Sequence, residues 1–303
     1  MFSSPTNLKP IIVCFAILLL PLIVSAQANR TWVSGNGDDV NSCSRSSPCK
    51  TFAGAIFKTN VGGEIDVLDP GGFGSVTITK SITIDAGQSF GSILSPTSVT
   101  GVIVNITAAT DTAKTVRLRG VSINGLGTGT DGIRISSATQ VFIEDVLVEG
   151  VGRHGINIGA SNVYVSIARS TIRNAVKSGI HVEPAADAPA TLAVESTNIS
   201  TCEIGLSAGK GTIATIRDSA FLHNGTGVEG HDCDVALVGC IVAHGHLGLI
   251  ARTNSAIRIS RTTVTRNQTG LGATTGGKII SFKNNVVHGN GTDGAPTHTF
   301  GEV

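Results

Sequence analysis

A glycine followed by an aliphatic residue returns seven times along this chain: Gly132-Ile133, Gly155-Ile156, Gly179-Ile180, Gly205-Leu206, Gly227-Val228, Gly248-Leu249 and Gly270-Leu271. The intervals are 23, 24, 26, 22, 21 and 22 residues. A fixed period of roughly 20 to 50 residues marks a solenoid, because a unit that short buries its apolar face only when a neighbour stacks on it. Within each period apolar residues alternate over a few positions, as in Val141-Phe142-Ile143, Val163-Tyr164-Val165, Val235-Ala236-Leu237 and Ile257-Arg258-Ile259. Alternation is the strand period, and runs this short do not make helices. Three such strands per coil predict an all-β parallel β-helix. With 38 glycines, one Trp, one Tyr and only 14% charged residues, the core reads as thin layers of Ile, Val, Leu and Ala.

The amino end sets the expected compartment. Lys9 precedes an apolar run over residues 11–24, broken by Pro21, and Ser25-Ala26-Gln27-Ala28 supplies small residues for cleavage. The run is shorter than the roughly 20 residues that span a bilayer, so residues 1–28 read as a secretory signal peptide. The mature chain is then expected to be secreted or periplasmic, with no membrane span. Losing Lys9 takes Lys+Arg from 22 to 21 against Asp+Glu 21. A neutral chain has no electrostatic footprint for nucleic acid or an anionic membrane.

Corners are legible too. Ser170, Thr197, Ser219, Cys240, Thr262 and Asn285 recur at one bend, and Asn174, Asn224, Asn267 and Asn290 mark another. Asn, Ser and Thr hydrogen-bond their own turns. The competing reading is glycosylation, since Asn29, Asn105, Asn198, Asn224, Asn267 and Asn290 all open formal sequons.

The entry segment carries a resemblance. Trp32-Val33-Ser34 with Gly37, then Pro48, Lys50 and Thr51 before Phe52, Ala55 and Ile56, then Val76-Thr77-Ile78 and Ile82-Thr83-Ile84, resemble the start of right-handed parallel β-helix repeat proteins of the pectin-lyase-like superfamily, many of them exported bacterial proteins. The resemblance implies a right-handed, single-stranded β-helix with coils of about 22–23 residues and an N-terminal helical cap. Phe52, Ala55 and Ile56 share one helical face that would cover the first coil. The expected organisation is a signal peptide (1–28), an entry strand and cap (29–63), the β-helix (64–290) and a C-terminal tail (291–303). In an oxidising compartment Cys43 and Cys49, six residues apart, read as a local disulfide. Cys202, Cys233 and Cys240 read as small buried hydrophobes, with a Cys233–Cys240 bridge left open.

Candidate site residues are few. His223, His244 and Arg266 hold one register on three coils, either a solvated corner or a basic ladder for an acidic sugar or phosphate. Arg117, Arg119 and Arg134 alternate with apolar residues and point outward, either as solubilising charges or as a grip on carboxylates, which match the guanidinium fork. Two His without a carboxylate make no metal site. Among the enzymes that the resemblance brings in, pectate lyases use calcium-binding acids with an Arg base, and polygalacturonases use clustered Asp. The motifs of neither are found, and His244-Gly245-His246 lacks a preceding Gly and Asp partners. From Gly132 onward the even coils leave no long insertions to wall a cleft, although residues 85–100 and 106–114 swell the early ones. Two readings stand: a secreted, non-catalytic β-helix protein that binds polysaccharide or a cell-surface component, without a cofactor; and a divergent polysaccharide lyase or glycoside hydrolase using Asp232, Asp234, His244 and Arg266, with calcium if a lyase. After Asn290 no amphipathic helix covers the last coil. Its free edge either pairs with another chain as an oligomer or is closed by residues 297–303.

Overall fold

The computed structural model describes residues 1–2, 27–87, 89–185 and 188–301. Apart from its two ends, the signal peptide expected over 1–28 lies outside the described residues. Among those described, no helix is long and apolar enough to cross a membrane.

The chain winds as a parallel β-solenoid whose coils visit three sheets in a fixed order. Among the described residues sheet I has 12 strands, sheet II has 10 and sheet III has 9, and neighbouring strands in each sheet come from successive coils. One coil runs through Gln140–Glu144 in sheet I, Leu147–Val151 in sheet II and Ile156–Ile158 in sheet III. Alternation delivers one face of each strand to the interior. In sheet III Ile133, Ile156, Ile180, Leu206, Val228 and Leu249 stand in one paired column, each at most 1% exposed. Ile172, Ile199, Phe221, Val242 and Val264 form the equivalent column of sheet II.

The recurrent glycine is required for space. A Cβ on Gly155 would lie 2.6 Å from the Gly179 carbonyl oxygen, and one on Gly227 would lie 2.6 Å from that of Gly248. Both would also strike the aliphatic side chain that follows in sheet II, Ile172 and Val242 respectively. At this point successive coils touch backbone to backbone. The amides of Gly155 and Ile133 donate to Ser178 and Gly155 one coil on, both at 2.9 Å.

The corners are held by polar side chains turned inward. Between sheets I and II the hydroxyls of Ser170, Thr197 and Ser219 accept from the amides of Val146, Ser170 and Thr197 and donate to carbonyls two residues back. Cys240 occupies the same column, its Sγ 3.5 Å from the Ile216 carbonyl oxygen. Between sheets II and III, Asn224, Asn267 and Asn290 each accept a backbone N–H from the preceding coils and donate to a carbonyl. Asn174 is different, sitting one position earlier in the corner with φ 56°. Asn224 and Asn267 are 3% exposed, so their sequons serve the turn and offer no glycan acceptor in the folded chain.

Both ends are closed. Helix α1 (Phe52–Lys58) buries Phe52, Ala55 and Ile56 over the first coil and is capped by Thr51, whose side chain accepts from the Gly54 amide. Asp39 accepts from the Lys50 and Thr51 amides and the Thr51 hydroxyl; burial pushes its carboxyl up, but these hydrogen bonds outweigh it and hold it below the usual range. Cys43 and Cys49 are joined in a disulfide beside this cap. Cys202, Cys233 and Cys240 are buried free thiols, so Cys233 and Cys240 are not bridged. At the far end His298–Thr299 adds the last strand of sheet I, paired with Lys278–Ser281, and the carbonyls of Thr292 and Asp293 accept from the Gly270 and Leu271 amides at the end of sheet III. The tail therefore folds back on the last coil.

Crowding at the glycine column makes a test. Gly227→Ala is expected to lower stability by about 2–3 kcal/mol through overpacking, whereas Gly159→Ala, where the nearest atom is 3.9 Å away, should change it by less than about 0.5 kcal/mol. Urea unfolding of the two variants measures both.

Candidate functional site

The outward positions of sheet III carry an unbroken polar ladder. Arg134, Asn157, His181, Ser207 and Glu229 are paired neighbours on five consecutive coils, and Ile250 ends the run. Strands in a sheet lie about 4.8 Å apart, so the ladder extends about 19 Å along the solenoid axis.

Its first rungs are fixed by a carboxylate with no solvent exposure. Asp131, directly before the first repeat glycine, accepts from Arg134 Nε at 2.8 Å, Asn157 Nδ2 at 3.0 Å and the His154 amide at 3.3 Å. An unpaired charge in that position would be costly, so Asp131 holds the guanidinium and amide in place. His154 is 8% exposed and stacks on His181 with ring centroids 4.4 Å apart and planes 12° from parallel. Burial, then the neighbouring His181, lowers the His154 pKa to about 4, so the ring is neutral. Its Nδ1 is buried without a hydrogen-bond partner. His181 is also shifted down, by burial first, with Glu183 opposing. Its ring nitrogens reach Ser207 Oγ and Glu183, both at 3.3 Å. Farther along, Glu229 bonds Arg252 and lies 3.2 Å from His231. Beyond Glu183 the surface sinks into a hollow of about 540 Å³ that also includes Lys210, Gly211 and Asp232. The ladder offers hydroxyl, amide, imidazole, guanidinium and carboxylate groups in sequence, the chemistry that recognises a polyhydroxylated chain.

The residues singled out from the sequence fall at several places. Arg117 and Arg119 share the outer face of sheet I, whereas Arg134 lies on sheet III. Arg117 lies 3.7 Å from Glu144 and packs over Phe142, and Arg119 pairs with Asp85 at 3.0 Å and Glu144 at 3.6 Å. Arg134 pairs with Asp131. All three guanidiniums are thus neutralised locally. His223, His244 and Arg266 do share the corner between sheets II and III, and the two imidazoles stack at 4.7 Å. Asp232 sits at the opposite corner, bonded by Asn254, and Asp234 pairs with Arg258 on sheet I. The Thr226–Gly230 strand, roughly 17 Å of extended chain, separates these acids from the His244 corner. The proposed catalytic set is therefore not gathered in one place. Among the described residues no group of three or more His, Cys, Asp or Glu is arranged to hold a metal ion.

Two features were missed by sequence reasoning. One is the Asp131–His154–His181 group, for which the signal was available: Asp131 and His154 directly precede repeat glycines, and Arg134, Asn157, His181, Ser207 and Glu229 all stand two residues after one. The other is a cleft of about 430 Å³ at the amino end of sheet I, lined by Trp32, Arg30, Arg45, Glu64, Asp66 and Asp85. There burial, then Glu64, pushes the Asp66 carboxyl up to about 6 despite Arg30.

Neutral, buried His154 makes stability pH-dependent. Its ordinary pKa is 6.5 and its folded value about 4, so between these values the unfolded chain binds the proton. The contribution is complete above about pH 6.5 and is lost as pH falls towards 4, by at most about 3 kcal/mol. Urea midpoints measured across that range should fall more steeply for the native chain than for His154→Phe, which keeps the stack and does not titrate.

Comparison with known proteins agrees with the architecture. Residues 186–299 match the family model described as the right handed beta helix region. Pectate lyase Pel9A superposes with a TM-score of 0.67 at 14% identity, over 90% of this chain and 80% of that one. A rhamnogalacturonan lyase gives 0.55 at 12% identity over 84% and 75%. The enzymatically active domain of tailspike protein 2 of bacteriophage CBA120 gives 0.56 at 14% identity, over 76% of this chain and 39% of that one. No protein of curated function matches in sequence. With its stacked three-sheet coils, its match to the right handed beta helix region over residues 186–299 and these superpositions, the chain has the parallel β-helix fold.

Proposed function

We propose that this is an exported β-helix protein that binds a polysaccharide, without cleaving it, along the outer face of sheet III. One observation carries the reading: the polar ladder from Arg134 to Glu229 runs through five coils in register. An extended polymer lying along the axis meets a new polar side chain about every 4.8 Å, and rungs already fixed by Asp131 lose little freedom on binding. The fold shared with a pectate lyase, a rhamnogalacturonan lyase and a tailspike domain supports a carbohydrate ligand. Export is supported by the apolar leader and the Cys43–Cys49 disulfide, which persists in oxidising compartments. The catalytic alternative, a divergent lyase or hydrolase, has one supporting observation in the unoccupied Nδ1 of neutral His154, an imidazole able to take a proton.

Affinity electrophoresis of the mature chain through gels containing pectin, alginate, chondroitin or neutral glucans should show retention by at least one polymer. Asn157→Ala with His181→Ala should weaken it by tenfold or more. Retention that survives the double variant removes sheet III as the site. Mass spectrometry of the same polymers after incubation, with and without calcium, should show no fragments; unsaturated or hydrolysed products would replace the binding reading with the catalytic one.

A further inference from the structure

The corner between sheets II and III is a backbone bend in the left-handed region, repeated on seven consecutive coils. Gly150, Asn174, Thr201 and Gly289 occupy it on four coils, but His223, His244 and Arg266 occupy it on three consecutive ones, with φ 55, 63 and 56°. Glycine and asparagine enter this region readily, whereas a long side chain such as Arg does so at a cost. The three residues thus stand where the backbone itself favours something smaller.

What that placement achieves is geometric. The shared backbone conformation sends three side chains outward in parallel, and the His223 and His244 rings lie 13° from parallel. Their donor edges repeat at the coil spacing, and Arg266 continues the column. A shallow hollow of about 540 Å³ runs beside them, floored by Gly245, Gly289 and Gly291 and edged by Gln268. None of the three side chains has a carboxylate partner among the described residues, in contrast to Arg117, Arg119 and Arg134. The charged neighbours at this corner do not supply one: Glu203 is engaged by Lys177 at 3.3 Å, and Asp293 by His288 at 3.3 Å. Like charges directly opposite one another on adjacent strands repel. An oxyanion placed along the column converts that repulsion into paired, charge-assisted hydrogen bonds.

We propose that His223, His244 and Arg266, with Gln268 at the edge, form an oxyanion-binding ladder for the carboxylate or sulfate groups of an acidic polymer. The ladder uses none of the residues of the sheet III stripe and stands independently of it.

Biolayer interferometry at mildly acidic pH and low salt, with polygalacturonate, dextran sulfate and neutral dextran immobilised separately, tests this. The informative variant replaces His223, His244 and Arg266 together by Asn, which removes the imidazoles and the guanidinium while keeping a residue suited to the left-handed bend, as Asn174 does. It should unfold at or above the native temperature and bind at least tenfold more weakly. Arg217→Gln, which removes a charge paired with Glu195 on sheet I, should bind within twofold of the native chain. Binding to polygalacturonate alone identifies a carboxylate ligand, and binding to dextran sulfate alone a sulfate; either upholds the ladder. Three results would overturn it: a native chain that binds neither polyanion, a triple variant that binds as well as the native chain, or loss of binding confined to Asn157→Ala with His181→Ala.

Discussion

Everything in this molecule rests on the contact that one coil makes with the next at the glycine column. There the backbone of Gly155 lies against that of Gly179, and the same approach recurs at Gly227 and Gly248. Hydrogen bonds between coils run on either side of it, and apolar residues of sheets II and III pack directly above and below. A side chain at this position would hold the coils apart and loosen both. Because the contact is between backbones, it tolerates wide variation in the outward side chains, which leaves the surface free to carry chemistry.

The corners do the same work with side chains. A turn buried between coils would strand amides and carbonyls away from water, at a cost comparable to a lost hydrogen bond for each. Hydroxyls of Ser170, Thr197 and Ser219 on one edge, and amides of Asn224, Asn267 and Asn290 on another, meet that need from within. Cys240 shows how small the requirement is, since a thiol fits the hydroxyl column. With the turns satisfied internally, exposed positions such as His223 and Arg266 have no structural task at their side chains.

Much of this was readable from the chain. The repeat gave coil length and strand positions, because these depend on local spacing and alternation; the cap helix followed from the resemblance of the entry segment, and the disulfide from the closeness of Cys43 and Cys49 in an expected oxidising compartment. Alternation separates inward from outward residues but does not say which of three outer faces a side chain joins. Arg134 was therefore grouped with Arg117 and Arg119 although it lies one sheet away, and Asp232 and Asp234 were grouped with His244 across a strand's length. The column after each glycine, from Arg134 to Glu229, was in plain view in the repeat; its members differ in chemical type, and resemblance between coils is not the pattern that reveals it. Buried His154 and Asp131 depend on neighbours a full coil away. Closure by Thr292, Asp293 and His298 depends on a tail with no periodicity at all.

The two closed ends have a consequence for how such a chain can change. Each coil touches only its immediate neighbours, and both caps contact only the terminal coils. Duplicating one unit of 21 to 26 residues between Gly132 and Gly270 would leave the helix cap and the folded-back tail with the partners they have now. Both surface columns would gain a step of about 4.8 Å. If a polymer lies along these columns as proposed, the length it spans is a countable, heritable quantity, set by the number of coils and adjustable one unit at a time.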